Sequence, residues 1–440
     1  MLVAPRVALA AALLAVPAGL LARQVPARSL ENANYSLRAT LDPVNLVLRD
    51  DETTTPRLAR DSVQDLASAA GADVVEIHDR VAETGRPPVD IRLLLQRDHR
   101  EQADRYLAAA RAALVRYGAW FGASPSSPLT IVDPAAPIDH PRSTSMADRD
   151  HPAFVVADTR WIAPSRGTTP DETVIRGIGR EMFGGVAGAS GDDVIDEGLA
   201  TYVTTRVMAD AFPGRYVAVG RYFGGLAVWT YEDVPWSREV DGDRPAGTSL
   251  TARADKTALA LETLERMLGW DTMRHAIATY LQQRAATGPA AVDFVRVVSD
   301  ASGRDLTWFF DEVDQDDRTF DYRVAGVAAT TRPNGAADST VVIERRGDGV
   351  FPIDVRVAFS DRSSVVEHWD GQARRHAFTY RRAAQVRTVE VDPDRVLLLD
   401  VNTTNNTWTS RPNGAHAAWK WTLHWLTWME QVLVTYAACA

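Results

Sequence analysis

The sequence contains very little cysteine and very little lysine. Its one cysteine, Cys439, excludes an intramolecular disulfide and any zinc site built from cysteines. The only lysines are Lys256 and Lys420, so arginine carries nearly all of the positive charge. Together with the abundance of alanine, this bias indicates a GC-rich coding sequence, as is common in bacteria.

The chain also lacks an excess of basic residues and the short motifs of several enzyme classes. Its formal net charge of -10 over 440 residues argues against a nucleic-acid-binding protein, which usually carries a basic stripe. The sequence contains no glycine-rich phosphate loop and no G-x-S-x-G nucleophile motif. None of the nine histidines forms an H-x-x-x-H pair, and the histidine-containing segment 140–151 is interpreted as a polar loop.

The N-terminal hydrophobic run is too short for a typical membrane span. It covers residues 7–22 after a single arginine, whereas a bilayer needs roughly 20 apolar residues. Small residues near Ala18 and Ala27 suit cleavage, so this segment predicts a signal peptide and export to the cell surface or beyond. The alternatives are an uncleaved anchor and a start codon placed too early.

The pattern along the chain predicts a multidomain α+β protein, because 440 residues exceed one small domain and the hydrophobic period changes twice. The strand-like segments "YSLRATL", "VNLVLRD" and "VDIRLLLQ" come first, and "PLTIVDP" and "AFVVADT" follow a first helix that Gly118 and Gly122 stop. Helices then dominate, and "PAAVDFVRVVSDASG" ends at a glycine stop. The last predicted strands are "STVVIERRGDG", "FPIDVRVAFSD", "SSVVEHWDG" and "DRVLLLDV". The predicted regions are a leader at 1–27, a short β segment at 28–97, a mainly helical domain at 98–318, an antiparallel β-sandwich at 319–410 and a C-terminal helix at 411–440.

The C-terminal segment 411–440 is rich in tryptophan. Lys420, His424, Thr427 and Gln431 recur at helical spacing as a narrow polar stripe, and tryptophan and leucine occupy much of the rest. Three interpretations remain open: packing on the protein's own domains, peripheral contact with a membrane interface, and binding of a partner. A membrane span is disfavoured, because Glu430 would lie near mid-bilayer.

The segment 169–203 has the spacing of a helical metal site. Thr169, Pro170 and Glu172 have the order of a capping box that starts a helix. Arg176 and Arg180 are four residues apart and therefore share one side of that helix. A second helix follows with Glu197 near its start, and two helices that present side chains in this order are the zinc layout of H-E-x-x-H peptidases.

The chain resembles the aminopeptidase N, or membrane alanyl aminopeptidase, family of gluzincin zinc peptidases. The branch most similar to it reads H-E-F-G-H and then L-D-E-G-F, where this sequence reads "RGIGR" from Arg176 to Arg180 and "IDEGL" from Ile195 to Leu199. The resemblance continues in order through "REQADRYLAAARAALVRYGAWFG", "DKTALALETLERMLGWDTM", "SGRDLTWFFDEV", "RRGDGVFPIDVRV" and "DPDRVLLLDVNTTNN". It covers the chain from about residue 88 to the end, and the shared order of the motifs carries it.

The resemblance implies a thermolysin-like, mainly helical peptidase domain followed by a β-sandwich, with the family's N-terminal β-domain truncated. It also implies one zinc ion, held by two histidines and a glutamate, and a second glutamate that activates the metal-bound water. Arg176 and Arg180 stand at the histidine positions, Gly177 at the base and Glu197 at the third ligand. Arginine is always protonated and has no lone pair to donate, so the family's zinc is not expected here.

Two further family positions are altered. The tyrosine that stabilises the oxyanion stands two residues before the family's lysine, and here Ala254 precedes Lys256 at that spacing. The segment that binds the substrate's amine, G-M-E-Y-P in this branch, is aligned with residues 137–141, where Asp139 replaces the glutamate. The resemblance therefore implies that the catalytic and metal positions Gly177, Ala254, Asp139, Arg176, Arg180 and Glu197 are vestigial.

The expected function is that of a catalytically inactive, peptidase-like protein that needs no cofactor and binds a peptide or a protein partner in the former active-site cleft. Arg176 or Arg180 is expected to pair with Glu197 in place of the zinc charge, and the alternative is that both arginines point to solvent. An active zinc aminopeptidase with non-standard ligands and a decaying gene product without a selected role are the rival interpretations.

Overall fold

The computed structural model describes residues 74–125, 127–133, 154–157, 170–183, 192–212, 250–287, 292–314, 318–331, 337–403 and 405–411. All of them except Arg411 belong to one compact unit, which spans residues 59–410 and 431–440. The expected leader, the strands "YSLRATL" and "VNLVLRD", the position Asp139 and the tryptophan-rich segment 412–440 lie outside the described residues.

A mixed sheet of four strands opens the described part of the chain. Its strands, in spatial order, are β1 (Val74–Val81), β2 (Val89–Gln96), β3 (Leu129–Val132) and β4 (Phe154–Val156). β1 is antiparallel to β2, whereas β2, β3 and β4 run parallel. The sequence segments "VDIRLLLQ", "PLTIVDP" and "AFVVADT" predicted β2, β3 and β4, and these predictions are confirmed; β1 was not predicted.

The described residues form seven α-helices, the first between β2 and β3 and the other six after β4. They are α1 (Ala103–Phe121), α2 (Pro170–Phe183), α3 (Asp192–Ala211), α4 (Leu250–Leu268), α5 (Trp270–Thr287), α6 (Phe294–Ser302) and α7 (Thr307–Val313). Gly122 and Gly303 end α1 and α6 in the left-handed conformation, as the glycine stop signals predict. Within the described part of the chain, no helix combines the length and the apolar composition needed to cross a membrane.

Two antiparallel sheets make up the later part of the unit. One has three strands in the order β5 (Tyr322–Thr331), β6 (Ala337–Arg345) and β9 (Arg375–Arg382). The other has the order β11 (Thr407–Thr409), β10 (Val386–Val391), β7 (Ile353–Phe359) and β8 (Ser364–Trp369). The chain is thus a mixture of helices and small sheets, which agrees with the α+β class at that level.

One predicted strand is absent from the described residues. The segment "DRVLLLDV" was expected to form a strand, but residues 395–400 take turns and extended backbone with a single bridge at Asp400. The reason is that side chains satisfy its backbone N–H groups: Asp392 accepts from the N–H groups of Val396 and Leu397, and the Thr263 hydroxyl accepts from that of Leu398. The apolar residues of this segment are buried next to α4. A short apolar run is the same for a buried loop and for a buried strand, so periodicity alone cannot distinguish them.

The apolar core is continuous through the helices and the sheets of this unit. One cluster of buried residues includes Leu93 of β2, Tyr117 of α1, Ile178 of α2 and Val355 of β7. Both α2 and α3 bury one side in this cluster, and α2 also lies against β4.

Candidate functional site

Helix α2 is held at its start by a buried carboxylate. Asp171 is almost inaccessible to solvent and accepts a hydrogen bond of 2.8 Å from Nε of Arg105 on α1. One turn later, the backbone carbonyl of Ile175 accepts from the Tyr117 hydroxyl at 3.2 Å. Burial raises the pKa of Tyr117, so this hydroxyl remains a donor. These contacts fix α2 in both position and rotation.

Small residues let α2 lie close to its neighbours. A Cβ atom at Gly179 would lie 3.4 Å from Ala200 on α3 and 3.4 Å from the Tyr117 hydroxyl oxygen, which is ordinary contact distance. A Cβ atom at Gly177 would lie 2.3 Å from Cγ1 of Val155 on β4, well inside van der Waals contact. The helix therefore lies against β4 at a distance that only glycine allows at position 177.

Arg180 and Glu197 meet across the gap between α2 and α3. Nε of Arg180 lies 2.9 Å from Oε1 and 2.7 Å from Oε2 of Glu197, and Nη2 also donates to Oε1. The Arg180 side chain is 39% exposed and that of Glu197 is 18% exposed, so the pair lies at a surface that solvent reaches. Both carboxylate oxygens of Glu197 are thus engaged by one guanidinium group.

Arg176 makes its ion pair within its own helix. Nη2 of Arg176 lies 2.8 Å from Oε1 of Glu172, one turn earlier. Of the two arginines that stand at the family's histidine positions, the structure therefore brings Arg180 to Glu197 and joins Arg176 to Glu172.

The two remaining expected site residues are Ala254 and Asp139. Ala254 lies on α4, and Asp139 lies outside the described residues. Lys256, two residues after Ala254, is buried and donates a hydrogen bond of 3.1 Å to the carbonyl of Arg318.

The side chains at these positions do not fit a zinc ion as they stand. Zinc needs neutral histidine, thiolate or carboxylate ligands, and arginine offers no lone pair. Glu197 supplies carboxylate oxygens, but Arg180 occupies both of them. Across the described ranges, no group of three or more histidine, cysteine, aspartate or glutamate side chains is close enough to hold a metal.

Sequence reasoning missed the partner of the residue next to Glu197. Asp196 is buried on the other side of α3, where Nη1 of Arg284 on α5 lies 2.6 Å and 2.8 Å from its two oxygens. The Tyr280 hydroxyl donates to Asp196 at 3.0 Å, and burial raises the pKa of this tyrosine. Arg284 and Asp196 are 88 positions apart, so no local spacing indicates the pair.

A second titratable pair lies where parallel strands β2 and β3 end. Nδ1 of His99 lies 2.7 Å from Oδ2 of Asp133, which is buried and also accepts from the backbone N–H of Gln96. Burial raises the pKa of Asp133, and the hydrogen bond from His99 opposes that rise. The pair joins the residues after β2 to the end of β3.

A separate surface depression of about 750 Å³ lies along α6 and α7. Its lining includes Asp293, Arg296, Asp300, Arg304 and Asp305. Asp293 and Asp305 already accept backbone hydrogen bonds at helix starts, and Arg296 pairs with Asp300. These four side chains are engaged in local structure, and neither Arg180 nor Glu197 lines the depression.

Comparison with known proteins does not identify a family or a function for this chain. No protein-family model and no curated protein sequence matches the chain. Among solved structures, the crystal structure of Legionella pneumophila aminopeptidase A in complex with aspartic acid is similar with a TM-score of 0.48 and 12% sequence identity. The likeness covers 74% of this chain, which spans only 38% of the length of that one. A likeness this slight carries no argument, so the function has to be inferred from the site.

Proposed function

We propose that this chain is a non-catalytic relative of the aminopeptidase N family, with a peptidase-like fold, that binds a peptide or a protein partner at the surface formed by α2 and α3. The observation that carries the proposal is the meeting of Arg180 and Glu197 from two different helices, at 2.7 Å. A metal site shared by two helices requires side chains of α2 and α3 to lie this close together. An arginine at one of those positions supplies positive charge beside Glu197 without Lewis acidity.

The chemistry of the pair supports binding without hydrolysis. Arg180 directs Nε and Nη2 to Glu197 and keeps 39% of its side chain exposed, so a peptide carbonyl or carboxylate can approach the rest of its guanidinium group. Hydrolysis also needs a base that activates water, and the family's base position is Gly177. We propose that a ligand held there is retained or released unchanged.

The test uses the purified full chain. Bound metal is measured by elemental mass spectrometry after dialysis against trace zinc, and hydrolysis of aminoacyl anilides is followed with and without a chelator. We expect zinc far below one ion per chain, no hydrolysis, and saturable binding of labelled peptides by fluorescence anisotropy.

Arg180→Gln provides a matched variant for the binding arm, because it removes the charge and keeps a polar, although shorter, side chain. It should weaken peptide binding, whereas Arg296→Gln, on the distant helix α6, should not. Chelator-sensitive hydrolysis by the unmodified chain would establish the rival function, an active zinc aminopeptidase with other ligands.

We also propose that the protein acts outside the cytoplasm and that its tryptophan-rich segment gives peripheral membrane contact. The leader-like residues 7–22 and the polar stripe of the C-terminal segment support this. Mass spectrometry of the N-terminus from cell fractions tests the first point, and co-sedimentation with anionic vesicles tests the second. An intact leader in the cytoplasmic fraction would contradict export.

A further inference from the structure

The closest approach of α2 to the sheet occurs at Gly177. A Cβ atom built there would lie 2.3 Å from Cγ1 of Val155 and 3.2 Å from both its Cβ and its Cγ2. Glycine in the interior of a helix is less favourable than alanine, because it loses more backbone freedom on folding. Its presence in α2 is explained by the room that it gives to Val155.

Val155 is not free to move away. It lies on β4, which pairs in parallel with β3 so that Val155 is opposite Ile131. Only 2% of Val155 is exposed, and it belongs to the continuous core. The backbone N–H of Ala157 also bonds to the carbonyl of Val132 at 2.8 Å, which holds the end of β4 in place. Because valine is branched at Cβ, its side chain has few rotamers that could relieve the contact.

The neighbouring glycine provides an internal reference. Position 179 is on the same helix, yet a Cβ atom there would meet Ala200 and the Tyr117 hydroxyl at 3.4 Å. A methyl group at 179 fits with little adjustment, whereas a methyl group at 177 overlaps with Val155. The restriction therefore belongs to the contact between Gly177 and Val155.

We infer that Val155 occupies the space of a side chain at position 177, so that packing as well as the lost ligands closes the former catalytic centre. A glutamate at 177, which the family's chemistry needs as a base, cannot enter without a change at Val155. The part of this inference that concerns the catalytic centre rests on the function proposed above. The packing itself does not depend on it.

The packing is tested by a double-mutant cycle in the full chain, with the thermal midpoint Tm as the readout. Gly177→Ala alone should lower Tm by roughly 3 °C or more through overpacking. In the Val155→Ala background the same change should lower Tm by no more than about 1 °C, because the overlap with Cγ1 is gone, the remaining 3.2 Å contact with Cβ needs only a small shift, and the helix gains propensity. Gly179→Ala should shift Tm equally in both backgrounds. The same shift for Gly177→Ala in both backgrounds would overturn the inference.

The link to the catalytic centre is tested by zinc binding, measured as metal per chain. Arg176→His together with Arg180→His should bind zinc with Glu197 at about one ion per chain. Adding Gly177→Glu should sharply reduce both zinc occupancy and Tm. Adding Val155→Ala to those three changes should restore zinc occupancy, and it should lower Tm less than Val155→Ala does in the unmodified chain.

The two proposals fail in different ways. If Gly177→Glu leaves zinc occupancy and Tm unchanged, Val155 does not close the site and the inference is wrong. If the two histidine changes bind no zinc while the Tm cycle shows the expected difference between the two backgrounds, the contact between Gly177 and Val155 is established and the family origin proposed above is wrong.

Discussion

Asp196 and Glu197 are consecutive on α3, yet they face two different regions of the molecule. Asp196 points into the helical interior, where its side chain is 8% exposed and that of its partner Arg284 is 9% exposed. Glu197 points to the surface between α2 and α3, where its partner Arg180 is 39% exposed. Each carboxylate binds one arginine through both of its oxygens, so the two pairs differ in burial far more than in geometry.

This difference separates a structural role from a functional one. A buried charge must be paired, because leaving it alone in the interior is strongly unfavourable. A pair at the surface contributes little to stability, since water replaces either partner. The Arg284–Asp196 pair is therefore required by the fold, whereas the more exposed Arg180–Glu197 pair is not, so its partners can exchange with the ligand that we propose.

Removing the interior cation should give the largest effect on stability. Arg284→Ala leaves the Asp196 carboxylate buried without its cation, and we expect the free energy of unfolding to fall by about 3–5 kcal/mol. Urea denaturation followed by circular dichroism measures this change.

Replacing both partners tests whether the loss comes from the unpaired charge. Arg284→Met combined with Asp196→Leu should lose much less than Arg284→Ala alone, because no charge remains buried. A loss below about 1 kcal/mol for Arg284→Ala would mean that Asp196 is hydrated, and the contrast between the two sides of α3 would disappear.

A third carboxylate, that of Asp400 in the strand-rich region, is buried, and backbone and amide N–H groups bind it. Asp400 is 3% exposed and accepts from the backbone of Tyr322 and Asn402 and from the Asn406 side chain. Burial raises the pKa of Asp400 to about 7, although these hydrogen bonds oppose the rise. Asp196 and Glu197 instead each bind the guanidinium group of an arginine.

Stability should therefore depend on pH through Asp400. An ordinary aspartate has a pKa of about 4, so the folded chain holds this proton more tightly than the unfolded chain does. The resulting stabilisation is fully present below about pH 4 and is lost as the pH rises through about 7, by at most about 1.4 kcal/mol per pH unit.

The variant Asp400→Asn isolates this contribution, because it removes the titrating group and keeps one acceptor oxygen. Unfolding free energies measured from pH 4 to pH 8 should fall less steeply with rising pH for the variant than for the unmodified chain. Parallel profiles for the two proteins would show that Asp400 stays ionised in the folded state.

Local spacing predicted the parts of the site that lie on single helices. The four-residue interval between Arg176 and Arg180 predicted a shared side of α2, and the order of the motif predicted a second helix with Glu197 near its start. Spacing could not predict which arginine would reach Glu197, because that depends on how far apart α2 and α3 lie. It predicted neither the contact of Val155 with Gly177 nor the pair of Asp196 with Arg284, since both join elements that are distant in sequence.

The same limit explains the errors in the strand-rich region. The alternation in "FPIDVRVAFSD" predicted β7, where buried and partly exposed residues do alternate. The run "DRVLLLDV" is equally apolar, but its N–H groups bond to Asp392 and Thr263, and no sequence period records such bonds. The strand β9 was missed because arginine occupies both of its ends, "RHAFTYRR", and only Phe378 and Tyr380 are buried.

We expect the smallest effect on stability at the Arg180–Glu197 pair. Measuring it gives the most direct test of the difference between this pair and the Arg284–Asp196 pair. Arg180→Ala leaves Glu197 partly exposed, where water can solvate it, so the free energy of unfolding should fall by about 1 kcal/mol or less. The difference should shrink further at 1 M salt, because an exposed pair is screened there, whereas the effect of Arg284→Ala should persist. A loss as large as that of Arg284→Ala would mean that the Arg180–Glu197 pair is part of the core, and a structural tie would then replace the ligand-binding surface proposed for α2 and α3.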